Sequence, residues 1–244
     1  LPVAAVLLRV VSSGALLPTL AKPVVLQALQ LSLVTTLLTL ALTLVLGTPL
    51  AWLLARHQFP GRSLVDSAME LPMVLPPAVA GIGLLLAFGR RGLLGPWLES
   101  MGITVGFTTA AVVLAQAFVA APFYVRSARA GFVGVDPDLE TVAYTLGVSR
   151  WATFWRVTVP VALPSLASGA VMCWARALGE FGATIMFAGS FPGRTQTMPL
   201  AIYAAFESDF EATLVMSAIL VLVSFGLLWL LRLAVRQVHG GEHA

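Results

Sequence analysis

Between Lys22 and Arg56 the chain carries no charged side chain. A helix needs about 20 mostly apolar residues to cross a bilayer. That run is therefore long enough to span, and three more uncharged runs follow it: Leu71–Gly89, Met101–Val125 and Ala212–Leu231. Another, from Pro164 to about Gly189, holds only Arg176 and Glu180 as charges. The pattern predicts an all-α, polytopic membrane protein with five full spans and a partial segment at its start. Pro72, Pro76 and Pro77 should kink or shorten the first turns of the second span. Composition agrees: 59% of residues are hydrophobic and 10% charged, against about 25% charged in soluble domains.

Residues 1–8 are apolar but too few to span, and fit the end of a longer helix or an interfacial segment. Residues 1–22 are expected to be an N-terminal segment that need not be complete, and no full signal-peptide pattern is legible in them. Residues 23–236 are read as the membrane domain and 237–244 as a short cytoplasmic tail. The tail sequence H-G-G-E-H reads as a solvated end, not a metal site. Arg56, Arg62, Arg126, Arg129, Arg150, Arg156, Arg232 and Arg236 fall on one side of the predicted spans. Arg9, Lys22, Arg90, Arg91 and Arg194 fall on the other. The cation-rich side is expected to face the cytoplasm. The single Cys173 excludes an intrachain disulfide and reads as buried packing.

One polar segment breaks the apolar pattern. Asp136–Pro164 carries five charged residues between two long apolar runs. Leu139, Val142, Ala143 and Leu146 fall on one helix face. Asp136 suits the cap, Pro137 the first helical position, and Asp138 and Glu140 the positive end of the helix. Gly147 should interrupt this helix. Ser149 can cap a second one with Trp151, Phe154 and Trp155 on one face, and Pro160 and Pro164 should end it. The same pattern suits a helix lying on the membrane with its tryptophans at the headgroups. The glycine turn and small apolar face favour docking into a protein groove.

The segment resembles the cytoplasmic signature of ABC importer permeases: E-A-A, three residues, G, nine residues, I-x-L-P. Here the frame is Thr141-Val142-Ala143, Gly147, then Val157-Thr158-Val159-Pro160. Alanine, glycine and proline match at full spacing. Thr141 and Val142 depart from the pattern, and Glu140 stands one position before the expected acid. A narrower resemblance, to molybdate-type permeases, lies in Leu71–Gly81 (L-P-M-V-L-P-P-A-V-A-G), Ala175–Thr184 (A-R-A-L-G-E-F-G-A-T) and Pro192–Tyr203 (P-G-R-T-Q-T-M-P-L-A-I-Y). Sulfate permeases are close relatives. The resemblance implies a type I ABC importer transmembrane fold in a bacterial or archaeal cytoplasmic membrane. It also implies three partners: a cytoplasmic ABC ATPase subunit, an extracytoplasmic oxyanion-binding protein and a second copy of the chain. The ATPase-docking residues would be Leu139, Glu140, Thr141, Val142, Ala143, Leu146, Gly147 and Pro160.

Arg176 and Glu180 lie four apart inside a predicted span. A charge at mid-bilayer costs about 2.5–3.5 kcal/mol, so it needs a partner or a task. A structural ion pair facing the bundle near the pathway is the simpler expectation, and a direct contact with substrate the lesser one. Because arginine before glutamate is the weaker order within a helix, a partner on another helix is also expected. Ala175, Gly179 and Ala183 form a small-residue stripe that would admit a close helix or a second copy. Arg194, Thr195 and Thr197 lie in an outer loop that would either touch a binding protein or form a solvated turn.

A P-loop needs G-K-[ST], and the only lysine is Lys22. Neither a zinc-protease helix nor a G-x-S-x-G elbow is present. Energy is therefore expected to come from a separate ATPase. The chain reads as a non-enzymatic transport subunit for molybdate or tungstate, with no cofactor and no nucleic-acid partner. A sulfate or thiosulfate permease is the near alternative, and an ATP-independent channel the distant one.

Overall fold

In a computed structural model the described residues are 1–14 and 16–240, and they are helical with no strand among them. In chain order they form α1 (Pro2–Ser13), α2 (Leu16–Leu20), α3 (Pro23–Arg56), α4 (Arg62–Val74) and α5 (Pro77–Phe88). Then come α6 (Gly95–Ser100), α7 (Thr109–Val133), α8 (Pro137–Thr145) and α9 (Arg150–Thr153). A π-helical turn (Phe154–Thr158) joins α9 to α10 (Val159–Leu178), followed by α11 (Gly182–Ala188), α12 (Met198–Phe206) and α13 (Phe210–Gly240). Residues 241–244, which include His243 of the tail motif, lie outside the described residues.

Helices α3, α7 and α10 form the centre. Helix α3 has 34 residues, about 51 Å at 1.5 Å per residue, so it overreaches a bilayer core of about 30 Å. Its buried face reads Ser32, Thr35, Thr36, Thr39, Thr43, Gly47 and Ala51. Its exposed face carries Leu26, Val34, Leu37, Leu38, Val45 and Leu46. Leucine outward and hydroxyl or glycine inward is the arrangement expected where lipid surrounds the helix.

The hydroxyls are used. Thr39 Oγ1 donates to Gln116 Oε1 of α7 at 3.0 Å, and Gln116 Nε2 donates to Thr35 Oγ1 at 3.3 Å. Trp174 Nε1 of α10 donates to Thr36 Oγ1 at 3.1 Å, and the Met198 N–H of α12 donates to Ser32 Oγ at 2.7 Å. One helix face thus bonds to three other helices.

The close approach between α7 and α10 is made by small residues. A Cβ on Gly169 would lie 2.7 Å from Ser127 Cβ, and one on Gly131 would lie 2.6 Å from Ser165 Cβ. Ser127 Oγ donates across the gap to Ser165 O at 2.8 Å. Each helix therefore presents a serine and a glycine four residues apart, set against the other's glycine and serine.

Among the described residues, three continuous helical stretches are long and apolar enough to cross a membrane: Pro23–Arg56, Thr109–Val133 and Arg150–Leu178. The predicted second span is instead two helices, because Pro76 and Pro77 end α4 and start α5. The predicted fourth span likewise breaks between Leu178 and Gly182. The proline break expected at Pro160 does not occur. Helix runs unbroken from Arg150 to Leu178, with Pro160 in the first turn of α10 just after the wider π turn, where a missing N–H is tolerated. Pro164 sits inside α10.

At the end of α3 opposite Arg56, Lys22 Nζ meets Asp209 Oδ2 at 2.7 Å and ties the start of α3 to the α12–α13 turn. The Lys22 hydrogen bond, then the Ala212 N–H, hold the Asp209 carboxyl below its ordinary range. A depressed carboxylate stabilises above its unfolded-state value and loses that contribution as pH falls through its folded-state value. Thermal unfolding in detergent should therefore show the wild type's advantage over Asp209→Asn fading as the pH drops through the carboxylate range. A gap that does not change with pH would contradict the link. Gly169→Val should destabilise by about 1–3 kcal/mol through overpacking, read as a lowered unfolding midpoint.

Candidate functional site

The polar segment folds from strong local signals. Asp136 Oδ1 accepts the Asp138 N–H at 2.9 Å and caps α8, with Pro137 in its first turn. Gly147 has φ 79°, in the left-handed region. Around it the Val148 N–H reaches Ala143 O and the Gly147 N–H reaches Tyr144 O, each at 3.0 Å. These are the paired bonds of a Schellman stop. Ser149 Oγ then accepts the Ala152 N–H at 3.3 Å and opens α9.

The predicted apolar face divides in two. Ala143 is buried, while Leu139, Val142 and Leu146 are exposed, as are Trp151 and Trp155. Thr141 and Pro160 are also exposed, and Thr141 Oγ1 donates to Pro137 O at 3.1 Å within its own helix.

Glu140 does not share the exposed face. Its Oε1 accepts from Arg56 Nη2 at 3.0 Å and from Thr158 Oγ1 at 2.7 Å. Arg56 Nη2 also donates to Val135 O at 3.0 Å. One carboxylate thus joins α8 to the end of α3 and to the π turn leading into α10. In the sequence Arg56 serves only as a topology marker and Thr158 only as part of the motif frame. The legible hint is that Glu140 and Ala143 lie three apart, on one flank of the helix face that carries the exposed leucines. Phe154 packs edge-on against Trp52, at 5.8 Å between ring centroids, and beside Phe132 at 6.1 Å.

Inside the bundle, Arg176 Nη1 meets Glu180 Oε2 at 2.7 Å. The pair closes within this chain; no partner on another helix is needed. Helix α10 ends at Leu178, so Glu180 has left helical geometry and the unfavourable helical order no longer applies. Glu180 is buried, and its Oε1 accepts the Ala183 N–H at 2.8 Å, which satisfies the first turn of α11. The same break divides the small-residue stripe. Ala175 and Gly179 are exposed, whereas Ala183 is buried against α5. Close packing there comes from Gly182, where a Cβ would lie 2.7 Å from Pro77 Cβ, and from Gly81, where one would lie 2.6 Å from Ala183 O.

The outer loop also differs from expectation. Arg194 is exposed, but Thr195 and Thr197 are buried. Thr195 Oγ1 accepts the Phe191 N–H at 3.0 Å and shapes the turn from within. Neither threonine offers a surface contact; Arg194 alone of the three does. No cluster of three or more histidine, cysteine or acidic groups that could hold a metal occurs among the described residues.

Glu140→Ala should cost about 2 kcal/mol, because it leaves Arg56 without its charged partner in a partly buried site. Adding Arg56→Ala should cost less than the sum of the two single changes. Thermal unfolding of the two singles and the double checks this, and strict additivity would refute the link.

Residues 47–240 match the family model described as "Binding-protein-dependent transport system inner membrane component". The chain is 47% identical over 197 residues to the molybdenum transport system permease protein ModB of Mycobacterium tuberculosis, covering 81% of this chain and 75% of that one. It is 38% identical over 218 residues to the sulfate transport system permease protein CysW of Synechococcus elongatus, covering 89% and 76%. Among solved structures, a bacterial ABC transporter involved in import of the acidic polysaccharide alginate superposes with a TM-score of 0.70, at 16% identity, over 87% of this chain and 79% of that chain.

Proposed function

Because the chain belongs to the family of binding-protein-dependent transport system inner membrane components, we propose that it is the permease subunit of an ATP-driven importer of molybdate or tungstate. It is a multi-pass protein of the cytoplasmic membrane. The observation that carries the choice of ion is the 47% identity to a molybdenum permease over most of both chains.

The working parts follow from the site. In our reading the exposed Leu139, Val142 and Leu146 of α8, with Trp151 and Trp155 beside them, enter a groove on a separate ATPase subunit. Ala143, Gly147 and Pro160 shape that surface, and Glu140 transmits its motion through Arg56 and Thr158 to α3 and α10. Thr141 extends the docking surface. Two copies of the chain would enclose the path, and an oxyanion-binding protein would deliver the ion at the Arg194 side. ATP-driven closure of the ATPases would then move α8 and tilt the central helices.

A sulfate permease is the second reading, favoured by the 38% identity to a sulfate permease. Proteoliposomes holding this chain and its ATPase, with binding protein outside and ATP inside, should accumulate labelled molybdate. Preferential accumulation of sulfate would decide for the second reading, and uptake without ATP or the ATPase for a channel. Gly147→Asp, a residue at positive φ on the docking surface, should lower ATPase co-purification and uptake by at least tenfold. Wild-type values for both would refute docking through this segment.

A further inference from the structure

We propose that Arg176 is the intramembrane contact for the passing oxyanion and that Glu180 is its resident counter-ion, which keeps that contact weak. The inference rests on the permease reading above and adds to it a residue and a mechanism of release.

Depth comes first. Gly182 packs on Pro77, and Gly81 on Ala183 and Met186, so α5 and α11 run side by side. Helix α5 has 12 residues, so Pro77 lies about 18 Å from the far end of α5. In a hydrocarbon core of about 30 Å, the Glu180 break falls near the middle.

The two members of the pair are unequally placed. Glu180 is 1% exposed and Arg176 29% exposed. Both carboxylate oxygens are engaged, one by Arg176 and one by the Ala183 N–H. Arg176 is engaged at Nη1 only, and its other N–H groups meet no acceptor among the described residues. A guanidinium has five donors in a planar fork suited to two oxygens of one tetrahedral anion. By helical spacing Arg176 shares its face with the exposed Met172 and Gly179, and the exposed Ala175 precedes it in the chain. A half-used cation at this depth is costly against lipid and belongs on a water-filled or substrate-lined surface.

The counter-ion sets the strength. Arg176 alone would hold a divalent oxyanion tightly and slow its exit. Glu180 is fixed by its backbone bond and cannot swing away, so it competes continuously for the guanidinium. The anion then gains a bidentate contact without a deep well.

The test uses proteoliposomes holding this chain with its ATPase, supplied with binding protein and ATP, after co-purification confirms assembly of each variant. Arg176→Gln with Glu180→Gln keeps a neutral, hydrogen-bonding pair, yet should lower labelled molybdate uptake at least tenfold. Arg176→Lys keeps the charge but not the fork, and should lower it about threefold to tenfold. Glu180→Gln alone should bind labelled molybdate at least tenfold more tightly in the absence of binding protein, while turning over more slowly. Wild-type uptake in the doubly neutral variant, or in Arg176→Lys, overturns the inference and leaves the pair structural. If the wild-type vesicles themselves take up sulfate and not molybdate, the choice of ion fails instead, and the Arg176 comparison is then read with sulfate.

Discussion

A polar group inside the hydrocarbon layer has no water to bond, so the chain must supply its partners itself. The hydroxyl face of α3 meets that requirement, and much else follows. Thr35, Thr36 and Thr39 bond Gln116 of α7 and Trp174 of α10, and Ser32 bonds the first turn of α12. Burial of apolar area cannot choose a register here, because lipid solvates leucine as well as a neighbouring helix does. Hydrogen bonds and small-residue notches choose it instead. The Ser127–Gly169 and Gly131–Ser165 contacts bring α7 and α10 close where no larger side chain fits.

The same requirement governs the helix breaks. A helix that stops in the membrane leaves backbone N–H and C=O groups without partners. At the α10–α11 break, Glu180 supplies an acceptor to the Ala183 N–H while pairing with Arg176. A residue that looks like an expensive charge in the sequence is thus also a backbone partner. The break frees α11 to lie along α5, where Gly81 and Gly182 admit the approach.

Local signals were legible in the sequence, and long-range pairings were not. Asp136, Gly147 and Ser149 each act within five residues of themselves, and the structure shows each at the turn or cap its chemistry suggests. The apolar runs gave the helical class but not its interruptions, because Pro77 and Gly179 look the same in a kinked helix as in a broken one. The stripe of Ala175, Gly179 and Ala183 assumed a continuous helix and was divided by the break. Thr195 and Thr197 read as exposed because the loop is polar, yet they bury to shape its turn. Arg56 and Glu140 are 84 positions apart, and no periodicity within either helix could pair them. The serine and glycine notches also escaped notice, since Ser127 and Gly131 mean little until Ser165 and Gly169 face them.

The placement of Glu140 has a mechanical meaning. Its one oxygen holds both Arg56, at the end of α3, and Thr158, at the root of α10. A push on α8 therefore arrives at two long levers at once, and those levers are already cross-braced through α7. Such a joint has little backlash, because a single carboxylate oxygen makes the connection to both. A longer, solvated linkage at the same point would let α8 rock while the central helices stood still.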